Sequence, residues 1–191
     1  MTDQYAISGV DLTENEYEVE QALLRNKYKA TNAAGEVVLR GKQKMLKMKE
    51  DFPFENGDGE HVFSVKAGGV LDFAGNYTIV TAPDEEPVAV LDANYQFFGD
   101  TWKVRDPHDE SLLATITSKS TVPDILRSIH GIFKIIPHKY EIQDADGTVI
   151  GEINGQFSLK DRYTVRVEDT GDVPREPVIA AAMVIDAIEG N

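Results

Sequence analysis

Cysteine is absent from this chain, which removes disulfides, thiolate zinc sites, cysteine nucleophiles and palmitoylation from consideration. Long hydrophobic runs are absent too: no apolar stretch approaches the roughly 20 residues that a bilayer-spanning helix needs. The opening Met1-Thr2-Asp3-Gln4 carries neither a basic nor an apolar region, so no signal peptide is expected, and Thr2 in place of glycine excludes N-myristoylation. A cytoplasmic protein with no transmembrane segment is the expectation. Positive charge is scarce as well, with 33 acidic residues against 19 basic ones and a net charge of −14. Such an excess repels nucleic acid and anionic membranes at long range, so nucleic acid is not an expected partner. A dense acidic surface also suits a salt-rich cytoplasm, and a halophilic source would explain it, although twelve lysines are many for an extreme case.

Catalytic signatures are missing in the same way. No HExxH, nucleophile elbow, P-loop or GxGxxG occurs. The four histidines, His61, His108, His130 and His138, include no pair at metal-ligand spacing. Carboxylates are so numerous that a catalytic pair would be hidden among surface acids. No enzyme, catalytic residue, metal site or cofactor is expected. Asp144-Ala145-Asp146-Gly147 resembles part of a calcium loop, but in that frame Ile142 and Ile153 fall where carboxylates are required. It reads as a hairpin turn.

What the chain does have is a repeat. Residues 1–16 read as an acidic lead-in without a clean period, and 17–191 as one domain, long enough to bury a substantial core. A first strand starts at Tyr17. Then comes a recurring plan: an aromatic residue, alternating residues, a polar turn and a β-branched or aliphatic return. The aromatics are Tyr28, Phe52, Tyr77, Trp102, Tyr140 and Tyr163, and four of their five intervals are 23 to 25 residues. The long interval carries an insertion, Ser118 to Ile136, with a short helix expected from Val122 to His130 and strand-like character at Phe133 to Ile136. In the copy from Tyr140 to Ile153 the turn contains Asp146-Gly147, where a tight hairpin needs φ > 0. The sixth copy loses its return strand to a terminal apolar segment. Five hairpins, a leading strand and a trailing strand make twelve.

From Val178 to Ile185 every residue is apolar. A segment apolar on all sides is buried in a core or a membrane, and this one is too short to span. The Ala180-Ala181-Ala182 triplet favours a helix, set at about 175–188, over a buried last strand. Pro174, Pro177 and Glu176 supply helix-start signals. A closed barrel removes sheet edges, and twelve strands leave an interior too wide for their own side chains. A mainly β fold follows, a twelve-stranded closed antiparallel barrel around a central hydrophobic C-terminal helix. Asp186 is then either a buried acid needing a partner or the first exposed position where the helix emerges.

The hairpin from Tyr140 to Ile153, the stretch Asp161 to Val167 and the ending Val178 to Asp186 resemble the LURP-one-related branch of the tubby C-terminal-like superfamily. The resemblance runs from about Tyr17 to Ile188, is most specific in its last fifty residues, and implies the barrel and central helix already counted. The superfamily includes phosphoinositide-binding tubby domains and phospholipid scramblases, while LURP-one-related proteins mostly lack an assigned activity. This chain departs from both lipid-active groups: it lacks cysteine, its tail is polar, and no tubby pocket residue can be matched.

One basic concentration stands out. Between Arg25 and Lys49 eight basic residues face a single acid, Glu36, a local charge of +7. Arg40, Lys42 and Lys44 share strand parity and would project beside Lys27 and Lys29 on the paired strand. These five are the candidate anion- or lipid-binding residues; the plain alternative is a solvated outer face that balances the acidic termini. A single concave patch would favour a peripheral phospholipid- or phosphoinositide-binding module. Dispersal would favour a non-enzymatic binding or scaffold protein with an unknown protein or lipid partner, which is the leading expectation.

Overall fold

A computed structural model describes residues 5–22, 27–42, 52–68, 76–96, 99–119, 139–156 and 161–189. Twelve strands appear in chain order: β1 (Glu16–Ala22), β2 (Lys27–Thr31), β3 (Val37–Lys42), β4 (Phe52–Glu55), β5 (His61–Ala67), β6 (Asn76–Thr81), β7 (Pro87–Gln96), β8 (Gly99–Arg105), β9 (Leu112–Ser118), β10 (Lys139–Asp144), β11 (Val149–Gln156) and β12 (Asp161–Val167). Each pairs antiparallel with its sequence neighbour, and β1 pairs with β12 to close the barrel. The expected insertion helix at Val122 to His130 and the strand-like Phe133 to Ile136 lie outside the described residues.

The repeat has a structural reason. Its aromatics sit near the starts of the even-numbered strands and point inward: Tyr28, Phe52, Trp102, Tyr140 and Tyr163 are buried, and Tyr77 packs against the same core. Trp102 lies 6.1 Å from Tyr77 between ring centroids. Phe54 stacks on Phe63 at 4.6 Å and lies over Gly41, its register partner. A Cβ on Gly41 would come within 2.7 Å of that ring, so a bare backbone is needed there.

The far ends of β2, β4, β8 and β10 carry a second repeated element, an Asn or Asp whose Oδ1 accepts amides from the turn it begins. Asn32 accepts from Glu36, Asn56 from Asp58 and Glu60, Asp106 from His108 and Asp109, and Asp144 from Asp146 and Thr148. The Asp144 turn is therefore the hairpin expected of it, with Gly147 at φ 85°. The equivalent left-handed position is glycine at 35 and 59, but Glu85 (φ 56°) and Glu110 (φ 62°) occupy it in the other two hairpins. Left-handed backbone costs an L-residue about 1–2 kcal/mol, partly offset by the larger unfolded-state entropy of glycine. Glu110→Gly is accordingly expected to raise stability by about 0.5–1 kcal/mol. Urea denaturation checks it; no gain would mean that the Glu110 side chain stabilises the turn in another way.

The C-terminal helix spans Arg175–Glu189. From Val178 to Ile185 no residue is more than 3% exposed, which is what threading through the barrel requires. The Tyr163 hydroxyl donates to the Met183 carbonyl at 2.8 Å, tying wall to helix. Asp186 continues the helix backbone; its side chain, and with it the choice between buried and emerging, lies outside the described residues.

Residues Tyr5 to Asn15, expected as a lead-in ahead of the domain, pack across the end of the barrel where the hairpin turns gather. Ile7 and Leu12 are 2% and 0% exposed and belong to the main core. Their spacing has no strand or helix period because the segment is irregular, so periodicity could not reveal them. The Tyr5 hydroxyl donates to Asp106 in the β8–β9 turn, and Asn56 in the β4–β5 turn donates to the Gly9 carbonyl. Burial alone would push the Asp106 carboxyl up; the Tyr5 hydroxyl and the two turn amides outweigh it and hold the group below its ordinary range. Tyr17, whose oxygen accepts the Glu14 amide, is pushed up to about 12, chiefly by burial.

The same segment meets the start of the helix, where the Ile7 amide donates to Glu176 Oε2 at 2.6 Å. Burial raises the Glu176 carboxyl above 4.5, against the lowering effect of that amide. A raised folded-state pKa means that the native state holds its proton longer than the unfolded chain, so this group's contribution falls as pH rises from about 4.5 through the raised value. Glu176→Gln keeps an oxygen for the Ile7 amide and removes the titration. The stability difference between variant and wild type should therefore shift in favour of the variant between pH 4 and pH 7. A difference that stays constant across that range would refute the burial argument.

Candidate functional site

Among the described residues the helix fills the inside of the barrel and the N-terminal segment covers its hairpin-turn end, which turns the search for functional groups to the outer wall. The basic candidates lie there. Register places Lys27 opposite Lys42 and Lys29 opposite Arg40, two like-charge pairs at successive same-parity positions of β2 and β3. Lys29 and Arg40 are exposed. The rung continues on both sides with acids, since Glu20 faces Lys29 from β1 and Glu55 faces Arg40 from β4. Carboxylates thus flank the cations along the rung. Lys44 lies outside the described residues, as do the side chains of Lys27 and Lys42.

Next to this face the wall is laced with ion pairs. Arg162 meets Glu20 at 2.8 Å and Glu18 at 3.7 Å, and Arg166 meets Glu16 through Nη2 at 2.5 Å and Nε at 3.0 Å. These rows join β12 to β1, the seam that closes the barrel. Arg166 also lies 3.7 Å from Glu152 on β11.

Beyond Glu152 the wall opens into a cleft of about 430 Å³ over β10, β11 and the end of β12. A bulge between Ile142 and Gln143 shifts the register of β10 against β11 and supplies the local bend. At Gly151 the β11 and β12 backbones approach so closely that a Cβ would lie 2.4 Å from the Arg166 carbonyl. Lys119, Lys139, Glu141, Glu152, Asn154, Arg166 and Glu168 furnish the cleft's polar groups. Lys119 pairs with Glu141, whose other oxygen accepts from Gln143 at 2.6 Å. Those two contacts hold the Glu141 carboxyl below its ordinary range. Sequence reading singled out none of these residues, because each is an ordinary outward charge on a strand; only the bulge and the pairing of distant strands bring them together.

The two described histidines, His61 and His108, lie in separate places. His61 Nε2 lies 2.9 Å from Ser64 Oγ and 3.1 Å from the Phe63 carbonyl, a contact within one strand. His108 sits in the β8–β9 turn, and His130 and His138 lie outside the described residues. Among the described residues no group of three or more His, Asp or Glu is placed to hold a metal ion. No helix among them is long and apolar enough to cross a membrane.

A search of curated proteins returns no match. An X-ray structure of a protein from Arabidopsis thaliana is similar in fold, with a TM-score of 0.57 at 9% identity over 96% of this chain and 99% of that one. The LURP-one-related family profile matches residues 37–186. It starts at Val37, later than the resemblance noted from Tyr17, and runs through every hairpin from the second onward and most of the helix. Since the match covers well over half the sequence, the chain belongs to the LURP-one-related family.

Proposed function

We propose that this protein is a non-enzymatic cytoplasmic binding or scaffold protein that works through the outer wall of its barrel. One observation supports this above the others: the interior, where barrels of this size hold ligands, is occupied by Val178 to Ile185. What remains for recognition is a wall of ordered charge, with a cleft of ligand-binding size over β10 to β12. Photo-crosslinking residues placed at Thr117, Gln143 and Thr164 of the full chain, in extract of its own source, would test the reading. Specific crosslinks at wall positions are the expected result. A protein that crosslinks to nothing from the wall, while a partner attaches at the hairpin-turn end, would overturn it.

A second reading has its own support. Like charges directly opposite each other on paired strands are destabilising, and β2 and β3 carry two such pairs in succession, Lys27 with Lys42 and Lys29 with Arg40. A bound phosphate would relieve that repulsion, which favours a peripheral phospholipid- or phosphoinositide-binding role for this face. Each basic residue near an anionic surface contributes about 1 kcal/mol, so reversing Lys29 and Arg40 should weaken liposome binding by at least about tenfold. Phosphoinositide-dependent sedimentation that is lost in the double reversal supports the lipid reading; identical sedimentation of both proteins ends it.

A further inference from the structure

Resting on the reading of the outer wall as the recognition surface, we propose that the cleft over β10 to β12 binds an extended peptide segment of a partner protein, carrying an acidic and a basic side chain four residues apart. Four of the six charged groups in the cleft are already engaged: Lys119 with Glu141, and Arg166 with Glu152 as well as with Glu16 outside it. The groups left over sit at opposite ends. At one end Lys139 is exposed and makes no ion pair among the described residues, and Asn154 stands directly opposite it in register. An ammonium and an amide on facing strand positions, about 5 Å apart at their Cβ atoms, bracket a carboxylate.

At the other end is Glu168, which follows β12 and whose amide bonds to the Ile150 carbonyl. Its carboxylate makes no close ion pair among the described residues and acts on Arg166 only at longer range. Thr164 is on the Lys139–Asn154 rung, Arg166 on the next and Glu168 beyond it. Two rungs separate the ends along the strands, about 13 Å at 3.2–3.4 Å per residue, and Glu168 is also offset sideways from Asn154 by one strand spacing, about 5 Å, which a lysine side chain can span. An extended peptide lying along the strands advances by the same rise, so side chains four residues apart fall on the two ends. Val149, 55% exposed and the large hydrophobic residue that stands out among the described ones, pairs with Gln143 two rungs from Lys139 and so offers an apolar contact at the Glu168 end of the cleft. The opposed ends also argue against a simple anion, since Glu152 and Glu168 would repel it.

The test uses three fluorescein-labelled pentapeptides blocked at both ends, Asp-Thr-Val-Thr-Lys, Asp-Thr-Val-Thr-Asp and Lys-Thr-Val-Thr-Lys, with the full-length protein at low salt. Anisotropy should show the Asp/Lys peptide binding at least tenfold tighter than either of the others. Lys139→Glu should reverse that order and favour the Lys/Lys peptide, while Glu168→Lys should weaken the Asp/Lys peptide at least tenfold. Both residues are exposed, and a thermal melt confirms that each variant is folded. Equal binding of the three peptides, an order unchanged by Lys139→Glu, or binding to phosphatidylethanolamine vesicles in place of the peptides would overturn the proposal. If crosslinks still map elsewhere on the wall when the peptides fail, the cleft assignment falls and the broader binding reading stands.

Discussion

Ending the chain before Val178 is expected to abolish the cooperative unfolding transition rather than lower its midpoint. Val178, Ile179, Met183, Val184 and Ile185 are each at most 3% exposed, and burying side chains of this size contributes about 1.5–3 kcal/mol apiece. Their combined loss matches the whole stability of a typical domain, about 5–15 kcal/mol. The strands cannot compensate by collapsing, because their count sets the width of the barrel. Inward aromatics such as Trp102 and Tyr163 would then line a void that water can enter. The truncated protein should bind hydrophobic dyes, lose its near-UV circular dichroism and unfold gradually in urea. A graded control belongs beside it: Ile179→Ala should leave a cooperative transition weakened by about 2–5 kcal/mol. A sharp, native-like transition in the truncated chain would show that the barrel stands without its helix.

That the helix could be placed from sequence follows from two independent signals that agree. A segment apolar on every side has to be enclosed, and a twelve-strand count creates an enclosure in need of filling. The strands were legible because each hairpin repeats the same local chemistry, from the inward aromatic at the start of an even strand to the turn that follows it. The Asn or Asp at that turn is visible only once its amide partners are known, since Asn and Asp are common in any polar loop. The candidate basic face was partly legible. Parity predicts that Arg40 and Lys42 share a side, but the flanking Glu20 and Glu55 come from strands whose register no local pattern specifies. The cleft was illegible for the same reason, because Lys139, Asn154 and Glu168 become neighbours only through pairings of β10, β11 and β12. Arg175 is the plainest omission. Its guanidinium donates to the carbonyls of Glu14, Val167 and Glu168 and to Asn15 Oδ1, at 2.6 to 3.0 Å, joining the N-terminal segment, the last strand and the helix. In the sequence it is one arginine between two prolines.

The N-terminal segment should matter far more than its composition suggests. Deleting residues 1–12 removes Ile7 and Leu12 from the core, and each contributes about 1.5–3 kcal/mol by burial. It also strips the Tyr5 hydroxyl from Asp106, the Ile7 amide from Glu176 and the Gly9 carbonyl from Asn56. A polar group stranded inside costs about 1–3 kcal/mol, but the deletion opens this end to water, so the lower figure applies. The expected loss is about 6–9 kcal/mol, and at 2–4 °C per kcal/mol for a chain of this size the melting temperature should fall by about 12–36 °C. Arg175 keeps its Glu14 and Asn15 partners in this variant, so the seam between β12 and the helix survives. The outcome should therefore differ in kind from the C-terminal truncation: a weakened protein that still unfolds cooperatively and keeps its strand signal in far-UV circular dichroism. Adding Arg175→Ala to the deletion should cut the remaining stability further, because the last tie across that end is lost. A melting temperature within a degree or two of the full chain would return residues 1–12 to the status of an appended tail. It would also mean that the turns, without the Asp106 and Asn56 contacts across the opening, close that end of the barrel by themselves.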